Sequence, residues 1–332
     1  MKILVTGATG KVGQAFIQRF LAERDDGSIR AFCHNRMLES RDRLDVVQGS
    51  LASKSDVDQA MDGITHVLHL ATCKETPNDI IDVTVKGLFW LLENCRQNSS
   101  FRQFLMVGGD AAMGHFVYPH PIPIPQPIPI PITEQQNRMP YQGCYALSKV
   151  LEEVMLEQYY IQYNLNGCCL RAPWIMEKDD FRFSLSFGED VFGGPRWIEL
   201  VGPEKASQYM KSQTIPILLD MEGQPIKRNF VHVQDLISSI LKAFDHPKAF
   251  QQLFNICMDQ PVDYGQVAEY LKQTRGLPSV GVKTEYHSTW LDNTKAKFLL
   301  DWQPNYDLTR LIDEAWNYQR SPNDSRKIWY AG

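Results

Sequence analysis

The stretch KILVTGATGKVG, Lys2 to Gly13, decides the fold. It begins as a short apolar run and breaks into three glycines, Gly7, Gly10 and Gly13, before apolar residues recur at helical spacing in QAFIQRFLAER. A strand, a glycine turn and a helix in this order let a pyrophosphate approach the helix N-terminus, where unpaired N–H groups favour anions. The stretch therefore predicts a dinucleotide-binding site at the start of the chain.

Strands and helices alternate through the segments that follow. DVVQGSL, HVLHLAT and FRQFLMVGG have the apolar character of strands, and GLFWLLENCRQ has that of a helix. SKSDVDQAMDG predicts a further helix, which Ser53 or Ser55 could cap. This alternation predicts an α/β fold, a doubly wound parallel sheet of Rossmann type with helices on both faces.

The composition bounds the function classes. The chain has 332 residues, 43% of them hydrophobic, and a net charge of −5 with no basic block, which argues against nucleic acid or an anionic membrane as a partner. Its seven scattered cysteines form no CxxC pair and indicate reduced thiols. The sequence shows neither a signal peptide nor an apolar run long enough to cross a bilayer, so we expect a soluble, cytoplasmic protein.

GCYALSK, Gly143 to Lys149, places a tyrosine and a lysine four residues apart. On a helix they lie nearly opposite an apolar stripe that consists of Leu147, Val150, Leu151, Val154 and Met155. A phenol has a pKa near 10 in water and needs an adjacent cation to exchange protons at neutral pH. The pair is therefore a candidate acid/base group, although this spacing also arises in solvated helices.

Taken together, TGATGKVG, HLAT, YALSK and RNFVHVQDL resemble the extended short-chain dehydrogenases/reductases, the NAD-dependent epimerase/dehydratase family. The resemblance implies that Tyr145 exchanges the proton and that Lys149 tunes it and binds the nicotinamide ribose. It also implies a homodimer and a divided chain. The NAD(P)-binding Rossmann domain would comprise residues 1–172 and 228–250, and a smaller substrate-binding part would comprise 173–227 and 251–320.

The same resemblance implies the cofactor contacts. They fall at Gly7, Thr9, Gly10, Lys11, Val12, Gly13, Ser50, Leu51, Leu70, Ala71, Thr72, Tyr145, Lys149 and Pro173. Ser50 and Thr84 replace the family's usual Asp and Asn on the adenine side. Because no acid lies between Ile29 and Leu38, His34 and Arg36 could face a 2′-phosphate and favour NADP over NAD. Solvated polar residues at a strand end are the alternative interpretation.

The end of the fifth strand departs from the family pattern. Gly109 stands where the family has a Ser or Thr, followed by Asp110 and Ala111. The alanine replaces the Glu of the family's dehydratases, which disfavours 4,6-dehydration. In a regular strand Asp110 would face away from the Gly109 position, but two glycines could allow a bulge that re-aims it. Our hypothesis is that Asp110, or a water held at Gly109, supplies the missing contact.

The second half of the chain supplies the candidate substrate contacts. Gly109, Trp174, Arg182, Arg228 and Trp290 fall where a carbohydrate-type substrate would lie, and Arg228 is the preferred contact for an anion. The substrate would be a sugar, a sugar acid or a nucleotide sugar. The sequence leaves open whether the reaction is dehydrogenation or epimerisation. The alternative is an NAD(P)-binding sensor or scaffold that has lost the chemistry.

Two further patterns predict structure rather than catalysis. His66 and His69 lie three apart on a strand and point to opposite faces, so they cannot share a metal, and we expect no metal site. In residues 117–133, seven prolines alternate with other residues from Pro119 to Pro131. Proline cannot donate to a sheet, so this insertion is predicted to be an extended loop. Its role is either a surface spacer or a flap or binding strip beside the active site.

Overall fold

A computed structural model describes residues 1–73, 76–114, 130–139, 143–188, 195–322 and 324. Its centre is a parallel sheet of seven strands in the order β11-β6-β5-β4-β1-β2-β3, and three two-stranded pairs accompany it in the described residues. The strands are β1 Lys2–Thr6, β2 Ser28–Cys33, β3 Leu44–Gln48, β4 His66–His69, β5 Gln103–Gly109, β6 Gly167–Ala172, β7 Trp174–Met176, β8 Ile215–Leu219, β9 Lys227–Arg228, β10 Phe230–His232, β11 Gln252–Asn255, β12 Val262–Asp263 and β13 Ser279–Lys283.

Helices cover both faces of this sheet, which confirms the predicted α/β class. They are α1 Lys11–Glu23, α2 Lys54–Met61, α3 Pro77–Asp79, α4 Lys86–Gln97, α5 Cys144–Tyr163, α6 Asp180–Ser184, α7 Trp197–Val201, α8 Pro203–Lys211, α9 Val233–Ala243, α10 Tyr264–Arg275, α11 Thr294–Leu300 and α12 Leu308–Asn317. Of the two predicted caps on α2, Ser53 is the one that accepts the Asp56 backbone N–H.

The order in which strands are added to the sheet reverses beside β1. β1 pairs in parallel with β2 on one side and with β4 on the other, so the chain winds outward both ways from this point. Ligands of doubly wound sheets bind at the carboxyl ends of the strands next to such a reversal. The fold therefore places Gly7, Leu70 and Gly109, which follow or end β1, β4 and β5, along one edge.

Buried apolar residues form separate cores. One lies under α1 and α9 on one face of the sheet, and another lies under α2, α4 and α5 on the opposite face. A third core surrounds Phe181, Trp197 and Phe230, and it joins β8 and α10 to α12. This third core corresponds to the predicted substrate-binding part, whose boundaries stay a prediction.

Helix α5 turns its apolar stripe outward. Leu147 and Val154 are 48% and 44% exposed, whereas Lys149 and Glu152 on the other face are 4% and 1% exposed. Because the polar face packs on the sheet, Tyr145 and Lys149 come to its carboxyl edge. Leu147 and Val154 lie on the surface, whereas Val150, Leu151 and Met155 are half-buried, Met155 against the core under α2, α4 and α5.

Two sequence predictions concern the proline-rich insertion and the two histidines of β4. Residues 115–129, the greater part of the proline-rich insertion, lie outside the described residues. The histidines of β4 have separate partners, Asp245 for His66 and Thr6 for His69. No cluster of three metal-ligating side chains occurs in the described part of the chain. Within that part, no helix combines the length and apolarity needed to span a membrane.

Candidate functional site

The glycine turn packs closely against the end of β4. Gly7 has a φ of +66°, and a Cβ there would lie 2.9 Å from the Ala71 nitrogen. A Cβ on Gly13 would lie only 2.4 Å from the Gly7 carbonyl oxygen. These contacts explain why both positions need glycine. They also leave the N-terminus of α1, with Gly10 as its cap, facing the carboxyl edge of the sheet.

Thr6 ties the turn to β4 with its side chain. Its hydroxyl oxygen accepts the backbone N–H groups of Leu70 and Ala71 at 3.1 and 3.2 Å and lies 2.8 Å from His69 Nδ1. The predicted contacts from Gly7 to Gly13 and from Leu70 to Thr72 therefore line one cleft. Such a cradle, closed to any Cβ and facing a helix N-terminus, fits a dinucleotide pyrophosphate.

Lys11 makes a different contact from the other residues of the turn. Its ammonium group donates to the Ile175 carbonyl at 3.0 Å and pairs with Asp180, so the side chain reaches into the predicted substrate-binding part. Its backbone remains at the start of α1. The side chain thus links the cofactor turn to β7 and α6.

The predicted adenine-side residues lie at the ends of β2 and β3. His34 is exposed, with Nδ1 3.2 Å from the Gly49 carbonyl oxygen, and Arg36 is half-buried. Ser50 donates its backbone N–H to Asp56, and this hydrogen bond is the largest of several that lower the pKa of the Asp56 carboxyl. Leu51 is buried against Gly87, where a Cβ would lie 2.7 Å from the leucine Cβ.

Tyr145 and Lys149 meet at Gly109. The Lys149 ammonium lies 5.5 Å from the centre of the Tyr145 ring. A Cβ on Gly109 would lie 3.6 Å from the Tyr145 hydroxyl and 3.5 Å from Lys149 Cδ, which is ordinary van der Waals contact. The position therefore has room for the serine or threonine that the family pattern has there, although this chain has Gly109.

Asp110 does not continue the strand. It begins a 3-10 turn, Asp110–Ala112, and lines a recess with Arg228, Asn229, Thr289 and Trp290. Burial raises the pKa of its carboxyl to about 6, although Arg228 and Arg171 act in the opposite direction. The carboxyl can thus change protonation state just below neutral pH.

Three of the predicted substrate contacts come together around this recess. The Arg228 guanidinium stacks on Trp174 at 3.8 Å from the ring centre, and Arg228 and Trp290 line the recess. Arg182 lies elsewhere. It pairs with Asp179 at 3.2 Å and reaches the carbonyls of Trp316 and Tyr318, contacts that join α6 to the end of the chain.

Sequence reasoning missed three polar residues in or near the site. The Asn229 amide nitrogen and the Thr289 hydroxyl line the recess and are buried without a hydrogen-bond partner among the described residues. Asn229 lies in RNFVHVQDL, one of the segments that carry the family resemblance, but nothing in the sequence indicated a role for Thr289. Glu152 contacts Lys149, and a hydrophilic helix residue gives no sign of burial in advance.

Known proteins with similar structures share this architecture. A short-chain dehydrogenase/reductase superfamily protein from Agrobacterium tumefaciens with bound NAD is 22% identical, with a TM-score of 0.75 over 95% of this chain and 96% of its own. UDP-glucuronic acid 4-epimerase from Bacillus cereus, in complex with NAD, is 18% identical, with a TM-score of 0.72 over 96% and 98%. These likenesses establish the fold, and they give the expected preference for NADP no support.

Sequence comparisons agree with the structural ones. The bifunctional dihydroflavonol 4-reductase/flavanone 4-reductase of Malus domestica is 22% identical over 301 residues, 86% of this chain and 78% of the relative. The model of the NAD dependent epimerase/dehydratase family matches residues 3–176, which contain the glycine turn, Gly109, Tyr145 and Lys149. With this match over more than half of its length, the chain belongs to the NAD-dependent epimerase/dehydratase family.

Proposed function

We propose that this protein is a nicotinamide-dependent dehydrogenase or epimerase that acts on a sugar, a sugar acid or a nucleotide sugar. The observation that carries the proposal is the meeting of the Tyr145 hydroxyl and the Lys149 side chain at Gly109. They meet at the sheet edge that also carries the glycine turn. A proton-transfer group and a dinucleotide cradle on one edge suit hydride chemistry at a C–OH carbon.

In this mechanism Tyr145 exchanges a proton with the substrate oxygen. The buried Lys149 cation favours the phenolate, so the proton can leave at a pH well below that of a free phenol. A nicotinamide cofactor held at the glycine turn would supply hydride-transfer chemistry at the substrate carbon. Trp290 lines the recess and Trp174 packs on its Arg228, and the two rings would help to keep water from the reacting carbon.

We take NAD as the cofactor. The similar solved structures from Agrobacterium tumefaciens and Bacillus cereus are complexes with NAD. His34, which we expected to face a 2′-phosphate, is exposed and lies beside the Gly49 carbonyl. Titration with both cofactors tests this choice, and a Kd for NADP that is at least tenfold lower than that for NAD would contradict it.

Asp110 takes the place of the missing hydroxyl contact. It follows Gly109 directly and turns into the recess beside Arg228 instead of continuing the strand. From there its carboxyl could hold the reacting oxygen directly or through a water. An Asp110→Ala variant with unchanged kinetics would show that Asp110 does not make this contact.

The recess supports an oxygen-rich substrate. The unpartnered Asn229 amide and Thr289 hydroxyl, together with Arg228, offer several hydrogen-bond donors within a partly apolar wall. Hydroxyl, carboxylate or phosphate oxygens would satisfy them. The Bacillus cereus protein is named for a sugar acid nucleotide and the Malus domestica relative for flavonoid ketones. A substrate panel must therefore contain both chemistries.

A homodimer through α4 and α5 belongs to the same proposal. Leu147, Val154 and Ile161 recur every seventh residue along α5 and are 44% to 79% exposed, and Phe89 on α4 is 39% exposed. Such a stripe on a surface helix is typical of an interface between helices. Light scattering should report a dimer, and Val154→Glu should give a monomer that still binds NAD.

A cofactor-binding sensor is the second candidate, because Gly109 lacks the hydroxyl that the family pattern has. Turnover separates the two functions. Purified protein is offered NAD⁺ and NADP⁺ with sugars, sugar acids, nucleotide sugars and flavonoid ketones, with reduced cofactor for the ketones, and Tyr145→Phe serves as the control. Oxidation or isomerisation that the control lacks supports an enzyme. Cofactor binding without turnover of any substrate supports the sensor.

A further inference from the structure

Lys149 has a buried anionic partner one helical turn away. Its ammonium donates to Glu152 Oε2 at 2.8 Å, and the two side chains are 5% and 1% exposed. The other carboxylate oxygen, Glu152 Oε1, is buried and has no hydrogen-bond partner in the described part of the chain. A buried carboxylate is costly unless it is paired, so its placement beside Lys149 calls for a reason.

The neighbouring residue already supplies the ion pair that fastens α5 to the sheet. Glu153 accepts from Arg171 Nε and Nη2 at 3.0 and 2.9 Å, and from Arg138 Nε at 2.6 Å. Arg171 lies on β6 and is 1% exposed. Attachment of the helix therefore does not need Glu152, whose only hydrogen bond in the described residues goes to Lys149.

We propose that Glu152 is a positioning residue that holds the Lys149 ammonium in the wall of the site and offsets part of its charge. Through Lys149 it sets the pH at which Tyr145 gives up its proton. The kinetic consequence rests on the proposed function. The electrostatic effect on Tyr145 does not depend on turnover and can be measured without a substrate.

Glu152 and Lys149 form a charged pair beside a second one, Glu153 and Arg171, and burial raises the pKa of the Glu152 carboxyl against the opposing charge of Lys149. Burial lowers the Lys149 pKa, but Glu152 and Tyr145 outweigh it, and the pKa lies above its ordinary value. Burial, assisted by Lys149, lowers the His69 pKa to about 3, so this imidazole is neutral. Burial also raises the Cys169 pKa and keeps that thiol neutral. The groups that face the pair from α5, β4 and β6 are Tyr145, Glu153, His69, Cys169 and Arg171.

Glu152→Gln tests the charge effect because the amide oxygen can still accept from Lys149. The titration of Tyr145 is read as the phenolate absorbance of each protein minus that of its Tyr145→Phe counterpart. Removal of the anion leaves the lysine charge unopposed, so the midpoint should fall by about one pH unit. Glu157→Gln is the matched control on the same helix, since Glu157 is 48% exposed and pairs with Arg138. It should leave the midpoint unchanged.

Glu152→Asp keeps the experiment decisive if the glutamine variant does not fold. The shorter side chain moves the carboxylate away from Lys149. The midpoint of the Tyr145 titration should therefore fall, by a smaller amount than in Glu152→Gln. A folded Glu152 variant with the wild-type midpoint overturns the proposal. If the Tm of that variant has fallen, Glu152 serves only to hold the helix in place.

The kinetic arm separates this proposal from the proposed function. In Glu152→Gln, the acid limb of kcat/KM in the oxidation direction should shift by the same amount as the titration, with the Kd for NAD within twofold of wild type. An unshifted limb in an active variant overturns the positioning role. Absence of turnover in the wild type contradicts the proposed function, while the titration still decides the role of Glu152.

Discussion

The start of α5 and the end of β5 lie against each other, yet they differ in how much of the family pattern they keep. Helix α5 carries both Tyr145 and Lys149, and the Lys149 ammonium lies 5.5 Å from the centre of the tyrosine ring. The end of β5 carries Gly109 with room for a side chain that is absent, and Asp110 turns away into the recess. Under the proposed function, the comparison teaches that a chain can keep its proton-transfer group while the group that orients the substrate oxygen is exchanged.

The largest effect should follow the loss of the Tyr145 hydroxyl. Tyr145→Phe removes the proton donor and leaves the ring in place, so kcat should fall by about 10²- to 10⁴-fold while the Kd for NAD stays within twofold. Steady-state kinetics and a binding titration measure the two quantities. A variant that retains a tenth of wild-type kcat would break the distinction between the two regions.

The glycine turn should be the next most sensitive place. In Gly13→Ala the new Cβ would meet the Gly7 carbonyl at 2.4 Å, so the turn must shift. We expect the Kd for NAD to rise by tenfold or more, with a lower Tm as the packing of α1 adjusts. Gly63→Ala is a useful control outside the turn, because the φ of +68° at Gly63 strains an alanine while its Cβ would meet only the far end of the Lys2 side chain, at 4.0 Å. It should lower Tm without a change in Kd.

Gly109→Ser sharpens the comparison from the opposite direction. A Cβ fits at this position, 3.6 Å from the Tyr145 hydroxyl, and the serine hydroxyl could hold the substrate oxygen beside it. If the end of β5 is the weak part of the site, kcat should rise by about tenfold, which corresponds to one net hydrogen bond of about 1.4 kcal/mol. Gly109→Ala controls for the added volume. Equal rates in the serine and alanine variants would show that no orienting hydroxyl is needed.

The smallest effect should be one on stability, which the Asp110 carboxyl makes dependent on pH. Because burial raises its folded pKa to about 6, above the usual aspartate value, the charged form is disfavoured in the folded state. The folded state therefore loses stability as pH rises from about 4 to 6 and remains less stable above that range. Asp110→Asn should stabilise the protein by about 2 kcal/mol at pH 7 and by almost nothing at pH 4. Denaturant unfolding at both pH values measures this, and an equal change at the two would contradict it.

The sequence could predict the parts of the site that depend on local geometry. Gly7 and Gly13 are required by one turn, and Tyr145 and Lys149 share one helix face, so spacing together with the family resemblance indicated where the site lies. The order of strands and helices was likewise enough to predict the sheet.

Properties that depend on which face is buried could not be predicted in this way. The apolar stripe of α5 points to solvent and the polar face with Glu152 is buried, which inverts the usual relation between hydrophobicity and burial. Similarly, the Arg182 guanidinium donates to the carbonyls of Trp316 and Tyr318, at and just beyond the end of α12. Such contacts arise between segments far apart in sequence, and no local spacing encodes them.

The central claim is that the two halves of the edge, glycine turn and Tyr145, act together in hydride transfer. The most direct measurement is the fluorescence of protein-bound reduced nicotinamide during a single turnover, followed as its appearance from NAD⁺ with each sugar, sugar acid and nucleotide sugar and as its loss from NADH with each ketone. Dehydrogenation leaves a lasting signal and epimerisation a transient one, and both should vanish in Tyr145→Phe. If NAD⁺ binds and no substrate of the panel produces any signal in the wild type, the claim is contradicted and the protein is a cofactor-binding sensor.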